Sequence, residues 1–149
     1  MEEVWLPDLL GGRFRQRTLS LGSDAEGEIV ATLVRLLPSW PASWTGRLRD
    51  VDVLYVHGWS DYFFQTGLAQ WWTDRGARFY ALDLRKYGRS LRAGQTPGYV
   101  SSLAEYDADI AAALSAMGRE DKPGRRLVLL GHSTGGLTLS LWAARHPGV

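Results

Sequence analysis

Apolar and polar positions along the chain alternate in two different periods. From Phe14 to Leu21 the alternation is loosely two-fold and predicts a strand. Gly22-Ser23-Asp24-Ala25-Glu26-Gly27 predicts a turn and Ile29 to Leu37 a second strand, so the pair reads as an antiparallel hairpin. Pro7 to Gly12 before it reads as an irregular lead-in. Pro38 to Gly46 after it, with two prolines and two tryptophans, reads as a connecting loop. Val51-Asp52-Val53-Leu54-Tyr55-Val56 predicts a third strand that ends at His57-Gly58-Trp59-Ser60. The period then lengthens. Phe63 to Arg75 has helical spacing, with Phe64, Leu68, Trp71 and Trp72 on or near one face and Gly76 closing it. Arg78 to Asp83 predicts a fourth strand, and residues 85–99 a long loop rich in Gly and Arg. Ser101-Ser102 is placed to cap a helix running to about Met117, with Leu103, Tyr106, Ile110, Ala113 and Leu114 toward the sheet. Strands that alternate with helices after a hairpin predict an α/β fold: a mainly parallel sheet covered on both faces.

The most informative stretch comes last. Leu127-Val128-Leu129-Leu130 is an apolar run of strand length, followed by Gly131-His132-Ser133-Thr134-Gly135-Gly136 and a helical pattern from Leu137 to His146. Gly-x-Ser-x-Gly between a strand and a helix is the context in which a serine sits at the apex of a sharp, strained turn. The chain folds back so tightly there only if Gly131 and Gly135 present no side chain. Ser133 would then project its hydroxyl from the top of the sheet, with helix N–H groups aimed at any oxyanion that forms. A phosphate-binding loop would need Lys where Leu137 stands, and a dinucleotide fingerprint would need Gly where Ser133 stands.

Composition narrows the chemistry. The 149 residues suit one domain with its own core, 45% of them are hydrophobic, and 17 basic against 16 acidic side chains leave a net charge of +1. No basic run suggests nucleic acid or an anionic membrane, and no apolar run reaches the length of a membrane span. With no cysteine there is no disulfide framework or thiolate metal site. The acidic start, Met1-Glu2-Glu3-Val4-Trp5, does not read as a secretory leader, and the cytoplasm is the expected compartment.

A serine nucleophile needs oxyanion donors, a base and a group that orients the base. The N–H of Thr134 and the N–H of Trp59 are the natural donors, with Gly58 letting the Trp59 backbone approach a substrate oxygen. The base is harder to place. His57 lies on the oxyanion loop and reads as a structural group. His132 precedes the serine and must leave the turn in another direction, and His146 closes the last helix roughly 15 Å away. Asp83 reads as a loop anchor, and Asp61 as a residue near the mouth of the site.

Three ordered motifs, His57-Gly58-Trp59, Leu82-Asp83-Leu84-Arg85-Lys86-Tyr87-Gly88-Arg89-Ser90 and Gly131-His132-Ser133-Thr134-Gly135-Gly136, together resemble the α/β-hydrolase family. The nearest branch by these motifs is that of the serine aminopeptidases, lysophospholipases and monoacylglycerol lipases. One departure stands in the middle motif: Lys86 where Gly is usual, expected to bend that loop differently. The resemblance implies an acyl-enzyme on Ser133 acting on a small-molecule carboxylic ester, without a cofactor. It also implies eight strands, with the acid and the histidine after later strands and a lid between. The expectation is therefore one domain over residues 1–149 holding the N-terminal portion of that fold, ending after the Ser133 helix, with later strands and lid missing. Such a chain would be inactive or weakly active alone, and its open sheet edge invites pairing with another chain. Two alternatives remain: a non-catalytic fold half completed by a partner chain, and an acyltransferase using the same serine.

Overall fold

The computed structural model describes residues 4–149; the acidic start at residues 1–3 lies outside them. Twelve elements follow in order: strands β1 (Leu6–Pro7), β2 (Phe14–Asp24) and β3 (Gly27–Leu36), a single helical turn α1 (Ala42–Thr45), β4 (Val51–Val56), α2 (Thr66–Thr73), β5 (Arg78–Asp83), two 3-10 turns (Gly88–Ser90 and Leu103–Glu105), α3 (Tyr106–Ala116), β6 (Arg126–Gly131) and α4 (Thr134–Arg145). The six strands form one mixed sheet in the order β1-β2-β3-β5-β4-β6. The hairpin β2–β3 joins the rest through an antiparallel β3–β5 pair, and β4 pairs parallel with both β5 and β6.

The two-fold alternation in the strands divides the core into two layers. Leu54 and Val56 of β4 join Leu33, Leu82, Ile110, Leu139 and Trp142 on the face covered by α3 and α4. Val53 and Tyr55 join Val34, Phe63, Ala69, Phe79 and Ala81 on the face covered by α2. Helices thus cover both faces. Asp52 interrupts the apolar run of β4 and is fully buried. Arg78, Arg119 and Arg125 surround its carboxylate at 2.6–2.8 Å and replace the water it loses.

Several boundaries depart from the pattern. The hairpin turn is shorter than predicted, because the strands run on to Asp24 and resume at Gly27. The lead-in contains β1, which pairs antiparallel with β2, and the predicted connecting loop contains α1. The predicted helix from Phe63 begins only at Thr66, since the Phe63 N–H is taken by Asp83 Oδ1 at 2.8 Å. Its buried face is also different. Phe63, Ala69 and Thr73 are buried, whereas Phe64 and Trp71 are about half exposed. Before α3 a 3-10 turn intervenes, capped as expected by Ser102, whose hydroxyl accepts the Ala104 N–H while Glu105 reaches back to the Ser102 N–H.

Candidate active site

The parallel strands β4, β5 and β6 all end at the same side of the sheet, where ligands of open α/β sheets bind. Among the described residues three non-glycine positions hold a positive φ: Ser60 at 50°, Lys86 at 61° and Ser133 at 53°. Each lies in the loop that leaves one of these strands. Strained backbone of this kind collects at functional sites because the surroundings must hold it in place.

The turn after β6 shows how. Ser133 has φ 53° and ψ −122°, immediately before the first residue of α4. The His132 N–H donates to Val56 O at 3.1 Å, and the Gly135 and Gly136 N–H groups donate to His132 O and Ser133 O, each at 2.9 Å. A Cβ on Gly135 would collide with the carbonyl oxygens of Val56 and His57, and one on Gly131 with the backbone of Gly135 and Gly136. Both glycines are therefore required by contact. Ser133 and Thr134 are exposed.

The loop after β4 lies directly against this turn. A Cβ on Gly58 would stand 3.2 Å from Ser133 Cβ and 3.1 Å from His132 O. Trp59 and Thr134 border one cavity of about 280 Å³, together with Tyr87, Tyr99 and Leu103. As the first residue of α4, Thr134 has no intrahelical partner for its N–H.

His57 is buried at the base of this loop. Its Nδ1 donates to Gly58 O at 2.8 Å, and its Nε2 accepts the Leu84 N–H at 3.1 Å. Burial lowers its pKa, which keeps the ring neutral and suits that pair of bonds. The imidazole ties the ends of β4 and β5 together and packs against Tyr87, ring centroids 4.7 Å apart. Asp83 anchors the loop after β5. It accepts the N–H groups of Phe63 and Arg89 at 2.8 and 3.0 Å and pairs with the Arg89 guanidinium at 2.9 Å.

Residues 49–149 match the family model described as "Serine aminopeptidase, S33". The chain belongs to this family of α/β-hydrolases. No curated protein matches it. Among solved structures, an epoxide hydrolase from an endophytic Streptomyces aligns with a TM-score of 0.64 and 24% identity over 92% of this chain. An epoxide hydrolase from Vigna radiata gives 0.59 and 18% over 89%. A predicted CIB-like hydrolase from Thermoplasma acidophilum gives 0.58 and 19% over 89%. These likenesses are of fold. The chain spans 35%, 36% and 58% of those structures' lengths respectively, and corresponds to the N-terminal part of the hydrolase fold.

The three histidines of this hydrolase segment face other partners. His57 is committed at both nitrogens, and His146 stacks on Trp142 and bonds its backbone oxygen at 2.8 Å. α4, 12 residues long, separates His146 from Ser133 by about 18 Å. His132 is exposed and turns toward Asp61, with Nδ1 3.9 Å from Asp61 Oδ2. No helix among the described residues is long and apolar enough to cross a membrane, and no cluster among them could hold a metal ion.

Sequence reasoning missed two features. Lys86 does not simply rebend its loop; it takes up the left-handed backbone a glycine would favour and buries its side chain to reach Asp24 and Glu26 of the hairpin, both at 2.6 Å. Acidic residues in a predicted turn and a lysine in a glycine position were the visible signals. Ser60, with its positive φ, left no signal at all.

Proposed function

We propose that this chain carries the nucleophile and oxyanion hole of a serine hydrolase that cleaves carboxylic esters through an acyl-enzyme. The supporting observation is Ser133 itself: exposed, in a backbone conformation that only close contact at Gly131 and Gly135 sustains, beside the first N–H of α4. Ser133 Oγ attacks the ester carbonyl carbon, and its proton passes to a histidine supplied from outside these 149 residues. The N–H groups of Trp59 and Thr134 hold the charge that develops on the carbonyl oxygen. Collapse breaks the bond to the alcohol, which leaves with that proton. Water, activated by the same base, then attacks the acyl carbon and frees Ser133. Gly58 admits the substrate oxygen, and His57 fixes the loop that presents Trp59.

Without its base the chain retains only the oxyanion contribution, about 10³-fold over water where a triad is absent. A p-nitrophenyl ester should leave a slowly formed acyl adduct on Ser133, read by intact mass and missing from Ser133→Ala, while the residual turnover owed to the amide donors is shared by both proteins. No adduct on a folded wild-type chain contradicts the reading. β6 supports a second reading, in which the chain acts as a fold half completed by a partner: among the described residues it pairs with β4 alone, and Leu127 to Leu130 remain only half covered. In that reading wild type and Ser133→Ala behave alike toward esters, and an added partner chain changes neither.

A further inference from the structure

A larger cavity, about 340 Å³, shares Trp59 and Tyr87 with the first, and the acyl chemistry above leaves it unused. Trp59, Tyr62 and Tyr87 form part of its wall, and Asp61 lies among them. The cations nearby already have partners. Lys86, which also borders the cavity, sits between Asp24 and Glu26, and Arg89 between Asp8 and Asp83.

Asp61 differs. Its side chain is only 20% exposed, it makes no hydrogen bond among the described residues, and the ring nitrogen that faces it, His132 Nδ1, stands beyond hydrogen-bond length at 3.9 Å. A carboxylate partly stripped of water needs a donor or a cation to offset the loss. The rings beside it supply a second attraction of the same sign. Trp59 is 67% exposed and Tyr62 41%, so both leave ring surface accessible, and the face of an aromatic ring attracts cations.

We propose that this cavity is a subsite for an organic ammonium group, with Asp61 as its counter-ion and Trp59 and Tyr62 as its ring walls. Trp59 borders both cavities, so one molecule can place an ammonium here and a carbonyl beside Thr134. That last step rests on the ester-hydrolase reading; ammonium binding does not. Two sources share the chemistry: the quaternary ammonium of an alcohol headgroup and the primary ammonium of an aminoacyl group.

The test is an NMR titration of the full chain that follows the Trp59 indole N–H, assigned through Trp59→Phe. The probes are choline, ethylammonium and 3,3-dimethyl-1-butanol, the neutral isostere of choline. At least one cation should bind about tenfold more tightly than the neutral alcohol. Asp61→Asn should erase that preference and leave the alcohol's own weak binding in place. Preference for choline assigns the headgroup source, and preference for ethylammonium the aminoacyl source. Equal binding of the neutral alcohol, no shift at Trp59 with any probe, or an undiminished preference in Asp61→Asn overturns the proposal. Should that variant not fold, the comparison of probes on the wild-type chain decides alone. Ser133→Ala should leave the titration unchanged. Failure of the wild-type chain to be acylated at Ser133 with ammonium selectivity intact therefore counts only against the hydrolase reading, and the converse only against this subsite.

Discussion

The turns after β6 and after β5 meet the same steric problem in opposite ways. Each places a non-glycine residue at a positive φ, 53° at Ser133 and 61° at Lys86. At Ser133 the conformation is imposed by backbone packed behind it, and the side chain makes no capping bond to its own helix. At Lys86 the side chain is buried and ion-paired to the hairpin, and it holds its own backbone in place. A side chain left without a structural partner has its geometry enforced by neighbours. One used for structure supplies the enforcement itself.

The largest test of that difference is Gly135→Ala. Its methyl would overlap two backbone oxygens that cannot move without disrupting β4, so a loss of at least about 3 kcal/mol in urea unfolding is expected. A stability within error of wild type would show that the turn is not held from behind. His57, which joins the two loops, gives the next effect. Its pKa is depressed by burial, so the unfolded chain binds a proton more readily than the folded one. Its contribution is thus complete above about pH 6.5 and is lost as pH falls below that, with a slope approaching about 1.4 kcal/mol per pH unit. His57→Gln should flatten this slope in unfolding measured from pH 7.5 to 5.

At Lys86 three variants separate backbone from side chain. Lys86→Met loses the ion pairs but keeps the strain and the buried volume, whereas Lys86→Ala and Lys86→Gly both lose the side chain and differ in strain, so the glycine variant should be the more stable of that pair by about 1 kcal/mol. Hydrogen bonds from Lys86 hold the Asp24 and Glu26 carboxyls below their usual range. The ion pairs therefore stabilise the fold above about pH 4.5 and fade as pH falls through the lowered values, and with them any difference between wild type and Lys86→Met. The smallest effect is at the serine. Ser133→Gly relieves strain and should exceed Ser133→Ala in stability by about 0.5 kcal/mol, after the extra chain entropy of glycine is set against the relief. The reverse order would mean that Ser133 is not strained.

Much of this was legible in the residues. The hairpin, the three parallel strands, α3 behind its serine-capped turn and the β6–α4 turn follow from apolar periodicity and from glycine spacing, which are local properties. What escaped depends on distant partners. β1 is two residues long and exists only because β2 has an edge to pair with. The start of α2 is displaced because Asp83, 20 residues away, captures the Phe63 N–H. Asp109 falls on the face of α3 predicted as apolar and is buried there by Arg85, which donates to it at 2.8 Å. The pairing of Lys86 with the hairpin spans some 60 residues. No local pattern encodes such contacts.

The most direct measurement of whether Ser133 is presented for acyl transfer is the site of modification by a fluorophosphonate, read by peptide mass spectrometry. A single slow adduct on Ser133, absent from Ser133→Ala, is the predicted result. Adducts spread over other exposed serines such as Ser101 and Ser140, or none on a folded chain, would contradict it.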